Sequence, residues 1–112
     1  MKDLKFKNKI IVFNKEPAFG QGVARIMNLV RETKSLSKAY KIMDLSSSKG
    51  WKIIKRAEED LGFELFNTVI GGKDGGNSEL SQEGKDILNR YNAFVDEVDR
   101  ESERLFKKYF SD

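Results

Sequence analysis

The chain has no cysteine, no histidine and one proline among its 112 residues. Without cysteine there are no disulfide staples. Without either residue type, a zinc site would have to be built from carboxylates alone, and Ser-His or Cys-His nucleophilic machinery is impossible. Carboxylates, lysines and tyrosines are left as possible catalysts. The carboxylates fall mainly in charged runs such as Glu58, Glu59, Asp60 and residues 96–103, where a solvated helix face is the natural reading. The expectation is a protein that is not an enzyme and needs no cofactor or metal. Long apolar runs are missing too: none approaches the roughly 18 residues of a membrane span. Residues 1–9 lack the apolar core and small-residue cleavage site of a secretory signal, so a cytoplasmic location is expected.

Charge is plentiful but unevenly spread. The net charge is +4 over residues 1–33 and +3 over 34–73, then −2 over 74–81 and −2 over 82–112. A basic module followed by a slightly acidic segment suits an anionic partner at one end and a protein partner at the other.

Residues 4–13 read LKFKNKIIVF, with apolar residues alternating against lysines and Asn8 except for a slip at residues 9–11. This predicts a half-buried strand. The segment 14–22, with Pro17, Gly20 and Gly22, predicts a turn into a helix over about 23–32, whose apolar positions are Ile26, Met27, Leu29 and Val30. Ser35 and Ser37 are both N-cap candidates for a short second helix ending near Asp44. Its apolar positions are Ala39, Tyr40, Ile42 and Met43.

The third helix is the most informative. Ser46 or Ser47 can cap it, and Gly62 can stop it after Leu61. At about 100° per residue, Trp51, Ile54, Ala57 and Leu61 are predicted to face the core, with Ser48, Lys49, Lys52, Lys55 and Arg56 opposite. A short helix, a turn of about three residues and a longer basic helix follow the order of a helix-turn-helix, whose later helix enters the DNA major groove. The DNA-binding residues of this helix region are read as Ser46, Ser48, Lys49, Lys52, Lys55 and Arg56, of which Ser48, Lys49, Lys52 and Arg56 form the groove-facing set.

Residues 63–70 are rich in β-forming types, residues 71–77 read GGKDGGN, and residues 79–81 could supply a return strand. The loop does not match the phosphate-loop pattern, which also requires a following helix. A hairpin placed after a helix-turn-helix is a wing, with Lys73 at its tip able to meet phosphate. From Ser81, a plausible N-cap, one helix of about 28 residues is expected to reach Tyr109. Ile87, Tyr91, Phe94, Val98 and Leu105 recur along it, widened by Leu88, Val95 and Phe106. This stripe exceeds what so small a core can cover, so Tyr91, Phe94, Val98, Leu105 and Phe106 are read as a homodimer surface.

The resulting fold class is α+β, mainly α: a winged helix-turn-helix with an N-terminal strand and a long C-terminal dimerisation helix. The DNA-binding domain would occupy residues 1–81 and the dimerisation helix 82–112.

Residues 20–91 also resemble the N-terminal DNA-binding domain of the ModE family of molybdate-responsive transcription regulators. The shared string holds Gly20, Gly22, Arg25, Ser35, Leu36, Ser37, Ala39, Leu45, Ser46, Lys49 and Trp51. It continues with Leu61, Gly62, Leu65, Gly71, Gly72, Lys73, Gly75, Gly76, Leu80, Ser81, Glu83 and Gly84. The GGK-x-GG segment followed by L-S-x-E-G is its most specific part. The resemblance implies a winged helix that binds an operator, with subunits paired through the N-terminal strand region and the long helices. Ser47 and Gly50 depart from the family's usual Tyr and Ala. Molybdate-sensing members carry C-terminal oxyanion-binding domains, whereas this sequence ends at Asp112, so the stand-alone DNA-binding form is expected and sensing of molybdate or another oxyanion is not.

The functional expectation is a sequence-specific transcriptional regulator that binds double-stranded DNA as a homodimer. A protein-interaction module that does not bind DNA is the alternative. A small-molecule sensor with its pocket between the long helices is a third reading.

Overall fold

Four helices carry most of the chain: α1 (Gln21–Thr33), α2 (Leu36–Ile42), α3 (Ser47–Leu61) and α4 (Gln82–Phe110). The computed structural model describes residues 2–67 and 77–112. Each of α2, α3 and α4 begins on a serine whose hydroxyl accepts a backbone N–H three residues on. Ser35 caps Lys38, Ser46 caps Lys49 and Ser81 caps Gly84. These contacts satisfy first-turn donors that the helix itself leaves unpaired. At its C-terminus α3 stops at Gly62, which takes the left-handed conformation at φ 85 that glycine adopts without steric cost.

The core is organised around α1, which packs against all three other helices. Val23, Ile26, Met27 and Val30 recur at helical spacing on its buried face. Ala39 and Tyr40 from α2, Ile54 and Ala57 from α3, and Leu88 and Tyr91 from α4 close around them, together with Phe19 and Leu65. Beyond Tyr91, α4 contributes no fully buried residue. A helix of 29 residues extends about 44 Å at 1.5 Å per residue. The molecule accordingly measures 58 × 28 × 21 Å.

The α+β class predicted from the sequence is not what forms. The described residues are mainly helical and contain no sheet, only two isolated antiparallel bridges, Val12 with Phe19 and Phe66 with Leu80. The N-terminal segment is extended without being a strand. Its alternation is nevertheless expressed, since Asn8, Ile10 and Val12 are half-buried while Lys5, Lys7, Lys9 and Ile11 are exposed. What covers the inward side is α4. The Tyr91 hydroxyl donates to the Ile10 carbonyl at 2.8 Å, and Asn8 Nδ2 donates to Asp99 Oδ1 at 3.0 Å and to Ser102 Oγ at 2.9 Å. The Phe6 ring meets Phe106 at 4.9 Å. A period of two requires one covered face, and a helix can supply that cover as well as a sheet.

The predicted wing meets the same correction. Asn67 N–H donates to the Glu79 carbonyl at 3.0 Å and Ser81 N–H to the Leu65 carbonyl at 2.9 Å, but pairing goes no further among the described residues. The return side is consumed at once, because Ser81 is already the N-cap of α4 and its hydroxyl also donates to the Glu64 carbonyl at 2.7 Å. Residues 68–76, which include Lys73 and most of the glycine-rich segment 71–77, lie outside the described residues. Gly84 explains the tight approach at this corner. A Cβ there would sit 2.2 Å from the Leu65 carbonyl oxygen, so glycine at this position of α4 is a packing requirement.

Candidate nucleic-acid interface

The geometry of α3 follows from how α2 seats it. The Tyr40 ring lies over Gly50, where a Cβ would fall 2.2 Å from Tyr40 Cε1. Gly50, Ile54 and Ala57 therefore form the buried side of α3. The turn between the helices is closed by Asp44 at φ 55 and by the Leu45 N–H, which donates to the Tyr40 carbonyl at 2.9 Å.

This phase corrects one sequence expectation. The helical period puts Trp51 on the core side with Ile54, yet it is 45% exposed. Gly50 takes the inward position because only a residue without Cβ fits beneath Tyr40, and the next residue is rotated by about 100°. Nothing in the spacing of apolar residues distinguishes a bulky aromatic on the flank from one in the core; the signal was the glycine beside it.

The DNA-binding residues predicted on and just before α3 fall into three groups. Ser48, Lys49, Lys52 and Arg56 are exposed, and among the described residues no carboxylate pairs with any of these three cations. Ser46 is exposed, but its hydroxyl is engaged by the Lys49 N–H at 3.1 Å. Lys55 is held within the molecule, its Nζ 3.0 Å from Glu58 Oε1 and 4.6 Å from the centre of the Trp51 ring. The first contact is an ion pair without the alignment of a hydrogen bond. Glu58 is held in turn by its other oxygen, which accepts the Leu65 N–H at 2.7 Å. Positive charge thus dominates the first half of α3. Toward its end Arg56 shares a shallow groove with Glu59 and Asp60.

Asp60 does something the sequence did not suggest. Its carboxylate accepts the N–H groups of Asn14, Lys15 and Glu16 at 2.7, 2.8 and 2.8 Å. Those three donors hold its pKa below the ordinary carboxylate value. The contact ties the end of the N-terminal segment to the end of α3.

Of the predicted dimerisation residues, two are already used within the chain. Tyr91 is buried, with its ring 5.2 Å from Phe19. Burial, followed by the charge of Asp99, raises its pKa. Phe106 lies between Phe6 and Phe110, 4.9 and 5.1 Å away. Phe94 and Leu105 are exposed and Val98 is half-buried. Tyr109, which falls in the same register, is 68% exposed. Ion pairs flank this stripe, Asp86 with Arg90, Asp96 with Arg100, Glu101 with Arg104 and Glu103 with Lys107.

An open groove of about 430 Å³ lies between α1, α4 and the N-terminal segment. Much of its polar wall is occupied internally, since Asn92 Nδ2 donates to Asn28 Oδ1 at 3.0 Å and Asn8 is bonded to Asp99. Among the described residues, no helix is long and apolar enough to cross a membrane, and no group of three acidic side chains is placed to hold a metal ion.

Comparison with known proteins adds no identity. No protein-family model matches the chain, and no curated protein matches it.

Proposed function

We propose that this protein is a sequence-specific DNA-binding regulator that acts as a homodimer, with α3 entering the major groove. The observation that carries the reading is the cluster of Lys49, Lys52 and Arg56, exposed and without carboxylate partners on the first three turns of a helix seated by a shorter helix and a tight turn. Cations with no internal partner are free to displace counterions from phosphate, the main source of affinity in DNA binding. Base edges are then read by residues near the start of such a helix. Ser48 and Lys49 stand there, and Lys52 and Arg56 extend the contact along the backbone or to guanine. The resemblance to the ModE DNA-binding domain points to the same use, and Lys73 is a further phosphate candidate on sequence alone.

Exposed Phe94, Leu105 and Tyr109 on α4, with Val98 between them, support pairing of two copies. A two-fold pair would place two α3 helices on half-sites one helical turn, about 34–36 Å, or a multiple of it apart. The test is selection of bound sequences from a random duplex pool, followed by gel-shift titration at several salt concentrations. A palindromic site is expected, with affinity that falls steeply as salt rises. Lys52→Ala should weaken binding and lower the salt slope by about one per lost phosphate contact. Undiminished affinity in that variant would remove α3 from the interface. No salt-dependent duplex binding at all would leave the protein-interaction module as the reading.

A further inference from the structure

Trp51 is the chain's single tryptophan and the one large hydrophobic residue that α3 leaves exposed among the described residues. It stands one turn into the helix, between Ser48 and Lys52, on the flank that also carries Lys55. Its position is braced. The Leu65 backbone holds Glu58, Glu58 holds Lys55, and the Lys55 ammonium rests over the indole. A cation over one ring face restricts the ring without covering it.

An indole fixed in water on an otherwise polar helix face buries no apolar area in the free protein. A protein-docking patch would join it to other apolar side chains, but its exposed neighbours on α3 are serines and lysines. The charge around it fits a polyanion. The major-groove edge of DNA offers one apolar group, the C5 methyl of thymine, which apolar side chains contact.

We propose that Trp51 is a specificity-determining residue whose indole packs on a thymine methyl group, so that each preferred half-site carries a thymine beneath the first two turns of α3. This rests on the DNA-binding reading above and adds the base that the site selects.

The test uses the full chain and the duplex that it selects from a random pool. Each thymine of one half-site is replaced in turn by deoxyuridine, which lacks only the methyl group. One replacement should weaken wild-type binding about fourfold, the effect of losing one buried methyl-sized group. Trp51→Ala should bind more weakly than wild type, respond to none of the replacements and keep the wild-type salt slope, because its phosphate contacts are intact. Trp51→Phe should retain part of the sensitivity. The emission of the lone tryptophan should change on titration with the selected duplex. Salt-dependent binding that ignores every replacement, or a Trp51→Ala variant as sensitive as wild type, would overturn the role of Trp51 and leave DNA binding standing. Absence of any salt-dependent duplex binding would overturn both.

Discussion

Gly50 offers the sharpest test of how α3 is positioned. Replacing it with alanine in an unobstructed helix would stabilise by about 1 kcal/mol, because glycine loses the most backbone entropy. Here the new Cβ would lie 2.2, 2.5 and 2.8 Å from Tyr40 Cε1, Cδ1 and Cζ, far inside the roughly 3.5–4.0 Å at which carbon atoms attract. Tyr40 is 6% exposed, so its ring cannot simply swing into water. Overpacking of this kind costs about 1–3 kcal/mol in typical cores; contacts this short place Gly50→Ala toward the upper end, for a net loss of about 1–2 kcal/mol after the propensity gain. With a urea slope of about 2 kcal/mol/M, the unfolding midpoint should fall by roughly 0.5–1 M. The decisive measurement is the double-mutant cycle with Tyr40→Ala, followed by helical circular dichroism, with all four proteins in one stabilising osmolyte. In the Tyr40→Ala background the obstruction is gone, and Gly50→Ala should become stabilising by about 1 kcal/mol. If Gly50→Ala raises the midpoint while Tyr40 is present, the packing argument for the phase of α3 is wrong.

Burial pushes the Tyr40 phenol from 10.0 up to about 12. The unfolded chain therefore releases this proton first, and the associated stability, complete below pH 10, is lost as pH rises toward 12. Urea midpoints at pH 9 and 11.5 should drop more in wild type than in Tyr40→Phe, and equal drops would refute the assignment. Asp60→Ala removes the acceptor for three backbone donors, so the amides of Asn14, Lys15 and Glu16 should exchange with deuterium measurably faster than in wild type; unchanged exchange would show that the segment is held elsewhere. Phe94→Glu and Leu105→Glu alter only exposed positions and should yield folded monomers by sedimentation equilibrium under conditions where wild type is dimeric. A dimer that survives both changes would place the subunit contact off this stripe.

The helices were readable because their signals are local. The serine caps at Ser35, Ser46 and Ser81, the stop at Gly62, and the apolar spacing of α1 and α4 depend on contacts within a few residues, which the order of amino acids specifies directly. The separation of Lys49, Lys52 and Arg56 from Ile54 and Ala57 is readable for the same reason, since it needs only the helical period.

What covers each face was not local. The alternating N-terminal segment could have paired with a strand, but α4 lies where a partner strand would have been, and Asn8, which interrupts the apolar pattern, finds Asp99 and Ser102 there. Trp51 and Tyr91 exchanged their expected places because Tyr40 claims the surface at Gly50, and because Phe19 and the Ile10 carbonyl enclose Tyr91. Amino-acid order thus determined where the chain coils and which side of α3 is cationic. Contacts between residues ten to about eighty positions apart decided which aromatic residues are buried and which are left facing water, because burial depends on the neighbour that arrives and not on the period that prepares the face.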